Sequence, residues 1–495
     1  MRETVLINET HLCLPPHEAF SMFGRAGGSG WMYPAGGVGW MFSARFEKAE
    51  PGTAAGIEIP LPFAGPDGET RVRGTARIVE VRPYWRLVLQ HETPWTGRIT
   101  ITFTEAPGGT RVRAVTELDD NALGRTTGSP CLAAPDTENR ADEIRVALLT
   151  SLSGSAGLFG RTAANCAALA AYEVNAQGGI RGRPVRVEVI DDRTDPATGL
   201  TRLRDLDRRR SLAAVVGVHS SATFTAVSPY AQESGLPYLY TPANEGCRVQ
   251  RGTLFRLGES VGDQLAEAIP ALMRESGGRT WYLIGNNYSW PQTVCAQGRR
   301  IAEQHRGHVV GERLVQLGDS MFDDVLEDID ASGADLVLSS MVGWSLIDFE
   351  RRFHAAGLRG RLRTLAPLLE ESTREHLGAA GNGIWSCLPY FSALNTAENT
   401  DFLQRYRAAF GACAPTPSAV TESAYEGLHL FAQAARQAGS PQGPEVARAL
   451  RRLTLTGPRG RISVGADGRL RQSMYLAEAT ATGFVVRAQM PSTAP

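Results

Sequence analysis

Two spacings of apolar residues divide this chain. Before residue 119 the runs IEIPLPF, RVRGTARIVEVRP, YWRLVLQHET, GRITITFTEAPGG and TRVRAVTELD alternate apolar and polar positions and end at turn formers. Period-two alternation gathers apolar side chains on one face of a strand, so these runs predict an antiparallel meander with one solvated face. One early helix fits residues 17–23, behind the paired prolines Pro15 and Pro16. Residues 119–142 are rich in Asp, Thr, Gly and Pro, have no period, and read as a linker.

From residue 144 a different unit recurs: a short apolar run, a Gly/Ser-rich turn, then an amphipathic helix. Strands are predicted over 146–150, 185–191, 213–218, 237–241, 254–257, 281–285, 308–315, 335–340, 363–368 and 384–389. Helices are predicted over 162–176, 263–274, 291–304, 345–356, 400–410 and 422–437. Such alternation specifies parallel sheets covered by helices. The strands are too many for one sheet, so two lobes with ligand between them are expected. The fold class is multidomain: an N-terminal antiparallel α+β domain over 1–118, then a two-lobed α/β domain with parallel sheets over 143–490. Lobe 1 is expected over about 143–262 and 389–455, and lobe 2 over about 263–388 and 456–490.

Composition narrows the function. Hydrophobic content of 42% and charged content of 21% over 495 residues are those of a globular protein with more than one core. A net charge of −1 offers no field for nucleic acid or an anionic membrane. No apolar stretch is long enough for a membrane span, so no insertion is expected. Lys48 is the sole lysine, which excludes a Walker-type phosphate loop from the later region, and no cofactor is expected. The start of the chain lacks an apolar leader core, and the cysteines (13, 131, 166, 247, 295, 387, 413) are odd in number and scattered. Free thiols in a reducing compartment, hence a cytoplasmic location, are the expectation.

The turns carry the chemistry. VALLTSLSGSAGLFG, VVGVHSSATFTAV and LIGNNYSWPQTV each end a strand in small residues ahead of a helix. Unpaired N–H groups and the helix dipole at such a point can hold a carbonyl, carboxylate or amide oxygen. None of these turns pairs a nucleophile with a base, so binding without catalysis is expected. Asp191, Asp192 and Asp195 suggest a metal cluster, but loop carboxylates capping the following helix explain them better. His219 is either a ligand contact or a structural hydrogen-bonder at its strand end. ADGR within SVGADGRLRQ reads as a hairpin turn.

EIRVALLTSLSGSAGLFG, AYEVNAQGGIRGRPVRVEVIDDRTDP, VVGVHSSATFTAVSPYAQESGLPYLYTPANEG, LIGNNYSWPQT, SSMVGWSLIDFERRF and PYFSALNTAENTDFLQRY follow one another in the order seen in a known family. The region from residue 143 resembles the type I periplasmic-binding-protein family, in its branch of amide, urea and branched-chain amino-acid receptors, including the cytoplasmic amide sensor of amidase operons. The resemblance implies a ligand site of Ser153, Ser220, Ser221, Tyr240 and Thr241 on one lobe, faced by Tyr288 and Trp290 on the other. Trp344, Glu370 and Tyr390 are further matches. Serine hydroxyls suit a polar end, and phenol and indole rings suit an apolar or planar body. Glu370 or Glu371 would meet an α-ammonium, the competing reading being a first-turn residue that complements a helix dipole. Tyr288-Ser289-Trp290-Pro291 replaces the branch's Tyr-x-Tyr-Pro and Ala222 replaces a histidine, which suggests a bulkier, less polar ligand.

The N-terminal part resembles the helix-grip superfamily of START-like and polyketide-cyclase-like proteins, in its opening strand, PPHEAFSMFG and the strands ending in WTGRITITFTEAPGGTRVRAVTEL. The closing helix of that fold has no counterpart over 119–142, so the domain is expected to be incomplete and to serve output or assembly. Exposed sheet edges would favour pairing with a regulator, a transporter component or a second copy as a homodimer. The leading expectation is a cytoplasmic sensor of a small polar organic ligand. Its rivals are the solute-binding component of an ABC importer and a ligand-regulated helix-grip enzyme using His11, His91 and Glu92.

Overall fold

The computed structural model describes residues 3–12, 43–45, 51, 54–60, 71–83, 85–93, 97–106, 109–119, 143–246, 252–319, 321–410, 414–441 and 443–490. Met1–Thr137 makes up most of one compact unit, and the chain from Glu138 most of a second. The first unit holds β1 (Glu3–Leu12), β2 (Ser43–Arg45), β3 (Ala54–Pro60), β4 (Arg71–Arg82), β5 (Arg86–Thr93), β6 (Gly97–Ala106) and β7 (Gly109–Asp119). They form one antiparallel sheet in the order β1-β7-β6-β5-β4-β3-β2. Strands β2 to β7 are the expected meander, and β1 pairs with the last strand, Glu3 opposite Asp119.

Ile99, Ile101 and Phe103 are buried at alternate positions, as a period of two requires. Leu87, Val88 and Leu89 are all buried, however, so both faces of β5 are covered there and the single solvated face is corrected. The helix expected over 17–23, the linker beyond Asp119 and the side chains of His11, His91 and Glu92 lie outside the described residues. Of the segments that carry the helix-grip resemblance, the opening strand and the last two strands are described as β1, β6 and β7, and PPHEAFSMFG lies outside the described residues.

The second unit opens with β8 (Ile144–Thr150), α1 (Gly160–Ala176), β9 (Val185–Asp191), α2 (Pro196–Arg210), β10 (Ala214–Val218), α3 (Ser221–Glu233), β11 (Tyr238–Tyr240) and β12 (Leu254–Arg256). These strands make the parallel sheet of lobe 1, ordered β12-β11-β10-β8-β9. β10 is buried along its whole length, which is why it reads as an unbroken apolar run. Lobe 2 follows with α4 (Val261–Leu265), α5 (Ala268–Ser276), β13 (Thr280–Asn286), α6 (Ser289–Gln304), β14 (His308–Val315) and α7 (Asp323–Ala331). It continues through β15 (Leu336–Ser340), α8 (Trp344–Ala355), β16 (Arg363–Leu365), α9 (Glu371–Glu375) and β17 (Trp385–Leu388).

The chain then returns to lobe 1 as α10 (Ala397–Phe410), α11 (Ala419–Ala438) and α12 (Gly443–Leu450). Gly427 of α11 lies against Val216, close enough that a Cβ there would meet it at 3.3 Å. In a small antiparallel sheet of β18 (Thr454–Gly457), β19 (Gly460–Val464) and β20 (Leu470–Arg471), the expected ADGR turn joins β19 to β20. β21 (Met474–Ala479) and β22 (Phe484–Met490) finish lobe 2, whose order is β14-β13-β15-β16-β17-β21-β22 with the last two antiparallel.

The helix predicted over 263–274 is two, α4 and α5. Pro270 has no N–H for the Ala266 carbonyl and its ring crowds that turn, so the helix restarts. α3 does run through Pro229, which is exposed and costs one ladder bond. α2 was hidden because only Gly199 and Leu203 along it are buried, leaving no apolar period.

The chain passes between the lobes three times: after β12, after β17 and after β20. Near these crossings lies Arg459, buried with Glu422 and Glu426 of α11. Its Nη2 donates to Glu422 Oε2 at 2.5 Å, its Nη1 to Gln472 Oε1 at 2.9 Å, and its Nε lies 2.7 Å from Glu426 Oε2. Glu422 and Glu426 also hydrogen-bond each other, and burial raises the pKa of both. Glu259, at the first crossing, is pushed up to about 7 by burial, against the pull of Arg459. Arg459→Leu would strand two buried carboxyls and is expected to remove about 3–5 kcal/mol of stability. Denaturant unfolding at neutral pH measures this, and a loss under about 1 kcal/mol would show the cluster to be solvated.

Candidate ligand-binding cleft

Two adjacent carboxylates at the end of β9 build the lobe 1 side of the cleft. Asp192, fully buried, accepts from Ser151 Oγ at 2.6 Å and from Thr223 Oγ1 of α3 at 2.9 Å. Asp191 accepts from Leu152 N at 2.9 Å and from Ser153 Oγ at 2.8 Å. Together they clamp the loop after β8 to the first turn of α3. Gly154, at φ +82°, lets the loop pass so close to Arg193 that a Cβ would lie 2.3 Å from its carbonyl oxygen. Asp195 caps α2 by accepting from Thr198 N at 2.7 Å, as the capping reading of these carboxylates expects. Among the described residues no group of three or more His, Cys, Asp or Glu is placed to hold a metal ion.

The loop after β8 sits on lobe 2. Trp344 N donates to Ser155 O at 3.4 Å, and a Cβ on Gly343 would lie 2.4 Å from that same oxygen. Lower in the cleft, Ser289 Oγ at the start of α6 donates to Glu245 Oε1 at 2.8 Å, joining the lobes again. The lobes therefore touch at both of these points.

Two phenols on opposite lobes, Tyr240 and Tyr288, act on one another electrostatically. Tyr240, at the end of β11, donates to His219 O at 3.1 Å and takes a hydrogen bond from Ser221 that favours its ionised form. Tyr288, the half-buried N-cap of α6, has its phenol pKa raised by burial and then by the nearby Tyr240 and Glu245. Ser221 and Tyr240 of lobe 1 are thus paired, and Tyr240 acts electrostatically on Tyr288 of lobe 2. Sequence reading missed Glu245, which lies in a loop with no period and whose partner is distant in the chain.

The remaining expected residues are engaged elsewhere. The Ser153 hydroxyl is committed to Asp191. Ser220 caps α3 by accepting from Thr223 N at 3.3 Å, so the cap is Ser220 and not Ser221. Thr241 Oγ1 lies 2.7 Å from Ser423 Oγ of α11, away from the phenols. Trp290 is 2% exposed, and its indole N–H has no hydrogen-bond partner among the described residues. Trp344, 41% exposed, packs against His376 with ring centroids 5.0 Å apart and the planes tilted by 52°. Glu370 caps α9, accepting from Ser372 N at 2.9 Å and Thr373 N at 2.7 Å, so the dipole reading replaces the ammonium contact. Tyr390 donates to Asn399 Oδ1 at 2.9 Å and is fully buried. His219 is structural: its Nε2 is 2.7 Å from the Tyr238 hydroxyl, and burial lowers its pKa.

Comparison with known proteins agrees with this architecture. The family model described as periplasmic binding protein matches residues 143–483. A "Leu/Ile/Val-binding protein homolog 8" from Brucella suis biovar 1 (strain 1330) is 30% identical over 157 residues, 31% of this chain and 38% of that protein. The chain thus spans under two-fifths of the length of the curated relatives it matches. A solute-binding protein of an ABC transporter from R. palustris, solved with benzoate, superposes with a TM-score of 0.64 at 22% identity, over 71% of this chain and 98% of that one. The branched-chain amino acid transporter substrate-binding protein from Streptococcus pneumoniae, solved with isoleucine, gives a TM-score of 0.61 at 21% identity, over 70% and 98%. At these identities the likeness is one of fold.

Glu371, beside the Glu370 cap, yields a pH prediction. Burial pushes its carboxyl up to about 8, with the Glu370 charge adding to the shift, although Ser392 N donates to it at 2.6 Å. A raised carboxyl pKa means that the folded state holds a proton the unfolded chain has lost. Stability therefore falls as pH rises from the unfolded carboxyl range through about 8. Glu371→Gln is expected to flatten that fall, gaining on the wild type as pH increases. Denaturant melts at a series of pH values check it; parallel curves for the two proteins would refute it.

Proposed function

The chain belongs to the periplasmic binding protein family, and from that premise we propose that its two-lobed unit captures one small organic solute between the lobes and releases it unchanged. One observation carries this reading: the loop after β8 reaches lobe 2 through the Ser155 carbonyl, Glu245 reaches it through Ser289, and the phenols of Tyr240 and Tyr288 on opposite lobes act on one another electrostatically. Phenol faces suit a planar or apolar body, and the hydroxyls suit one polar end. An amide, urea or amino-acid-like solute fits. Relatives solved with benzoate and isoleucine support a compact solute with one polar end.

The role we propose is a cytoplasmic sensor in which solute stabilises the closed lobes and a partner reads the change. Cys166, Cys295 and Cys387 are buried and free, which suits a reducing compartment. The N-terminal sheet supplies a second surface for output or assembly. The importer reading is favoured by the ABC transporter relatives, and cell fractionation separates the two: a periplasmic protein would support the importer. Among the described residues no helix is long and apolar enough to cross a membrane.

Calorimetry with amides, ureas, amino acids and benzoates is expected to give one-to-one binding without product. Steady turnover would sink the reading. Ser221→Ala is expected to weaken binding by about 1 kcal/mol through one lost hydrogen bond. Tyr288→Ala should cost more, about 2 kcal/mol, because it also removes a buried ring. Equal affinities in all three proteins would remove both residues from the site.

A further inference from the structure

A cavity of about 510 Å³ lies on lobe 1, apart from the cleft, and is lined by Gly252, Thr253, Arg448, Arg451, Arg452 and Ala466 among others. It sits where the end of α12, the approach to β12 and the turn between β19 and β20 come together. β12 runs parallel to β11, with Leu254 opposite Tyr238 and Arg256 opposite Tyr240. Gly252 and Thr253 therefore stand at the end of this sheet away from Tyr240 and the cleft. The volume is that of a small-molecule site.

Three guanidinium groups line it. Arg451 is held in place: Nη1 donates to Ala447 O at 2.9 Å, Nη2 donates to Gly252 O at 3.0 Å, and the group lies 4.8 Å from the Phe255 ring centroid. Serving the last carbonyls of a helix is the ordinary work of a basic residue there, and Arg451 does it. Arg448 and Arg452 are exposed and have no hydrogen bond or ion pair among the described residues. The acids nearest in sequence, Glu445 and Asp467, do not line the cavity. The negative end of α12 opposes an anion here by about half a charge, against three positive ones. Thr253 is 7% exposed, and its hydroxyl has no hydrogen-bond partner among the described residues. A buried hydroxyl left alone costs energy that a ligand oxygen can return.

We infer that this cavity is a second ligand site, which takes a small organic molecule carrying a phosphate group. Guanidinium forks match phosphate oxygens in pairs, and several such groups balance a dianion. A phosphate presents three terminal oxygens in different directions, so arginines at separate positions of one helix end can each take one. A bare phosphate ion would fill a small part of the volume, which leaves the rest for an organic body beside Thr253 and Ala466. Nothing in this site depends on what the cleft holds.

Calorimetry on the full chain at constant ionic strength tests this with glucose 6-phosphate, AMP, glucose, adenosine and inorganic phosphate. At least one of the two organic phosphates is expected to bind about tenfold or more tightly than its unphosphorylated partner and than inorganic phosphate. Arg448→Ser and Arg452→Ser change exposed side chains, so the fold should persist, and each is expected to weaken that binding about tenfold. Arg451 is left in place because it also holds Gly252. Arg300→Ser removes one exposed charge from α6 of lobe 2 and should leave the affinity unchanged. The inference is overturned if neither organic phosphate binds, or if inorganic phosphate binds as tightly as both. It is also overturned if Arg448→Ser and Arg452→Ser bind like the wild type, or if Arg300→Ser loses as much as they do.

Discussion

The fold depends on a charge held away from water. Arg459 is surrounded by Glu422, Glu426 and Gln472, near the points where the chain crosses between lobes. A guanidinium in such a place costs several kcal/mol in lost solvation, and only fixed acceptors return it. Those acceptors lie on α11 of lobe 1 and on the segment leading into β21 of lobe 2. Geometry that satisfies the ion therefore also fixes how the crossings lie against lobe 1. Oil-like packing alone would leave more freedom there, because apolar contacts have no direction.

A second carboxylate pair sets the working surface. Asp191 and Asp192 bind backbone and hydroxyl groups of the loop after β8, and Asp192 also holds Thr223 of α3. Both walls of lobe 1 are thus attached to one rigid strand end. A site fixed in this way loses little side-chain freedom when it is filled, so more of its contact energy appears as affinity. Lobe 2 contributes fewer direct contacts, through Tyr288 and Ser289.

The parallel strands were legible where burial on both faces writes an uninterrupted apolar run, as in β10 and β15, which are buried along their whole length; β9 and β14 are only partly buried, yet their limits match the sequence reading. α1 and α11 were legible from their apolar period. α2 was not, since its exposed arginines carry no period. In the site, small residues at strand ends marked the correct loops, but composition cannot say where a hydroxyl points. Ser153, Thr241 and Glu370 are residues of the right type whose polar groups the fold uses for itself. Glu245 failed in the opposite direction: it meets Ser289 only in space, and a single sequence holds no trace of that pairing.

Gly343 meets Ser155 with backbone against backbone, leaving no room for even a methyl group. Contact at that range has almost no give, because repulsion climbs steeply once atoms touch. The gap between the lobes is then a gauge of set width. How near the two lobes come at Ser155 is thereby set in the main chain, where drift in side-chain identity cannot easily change it.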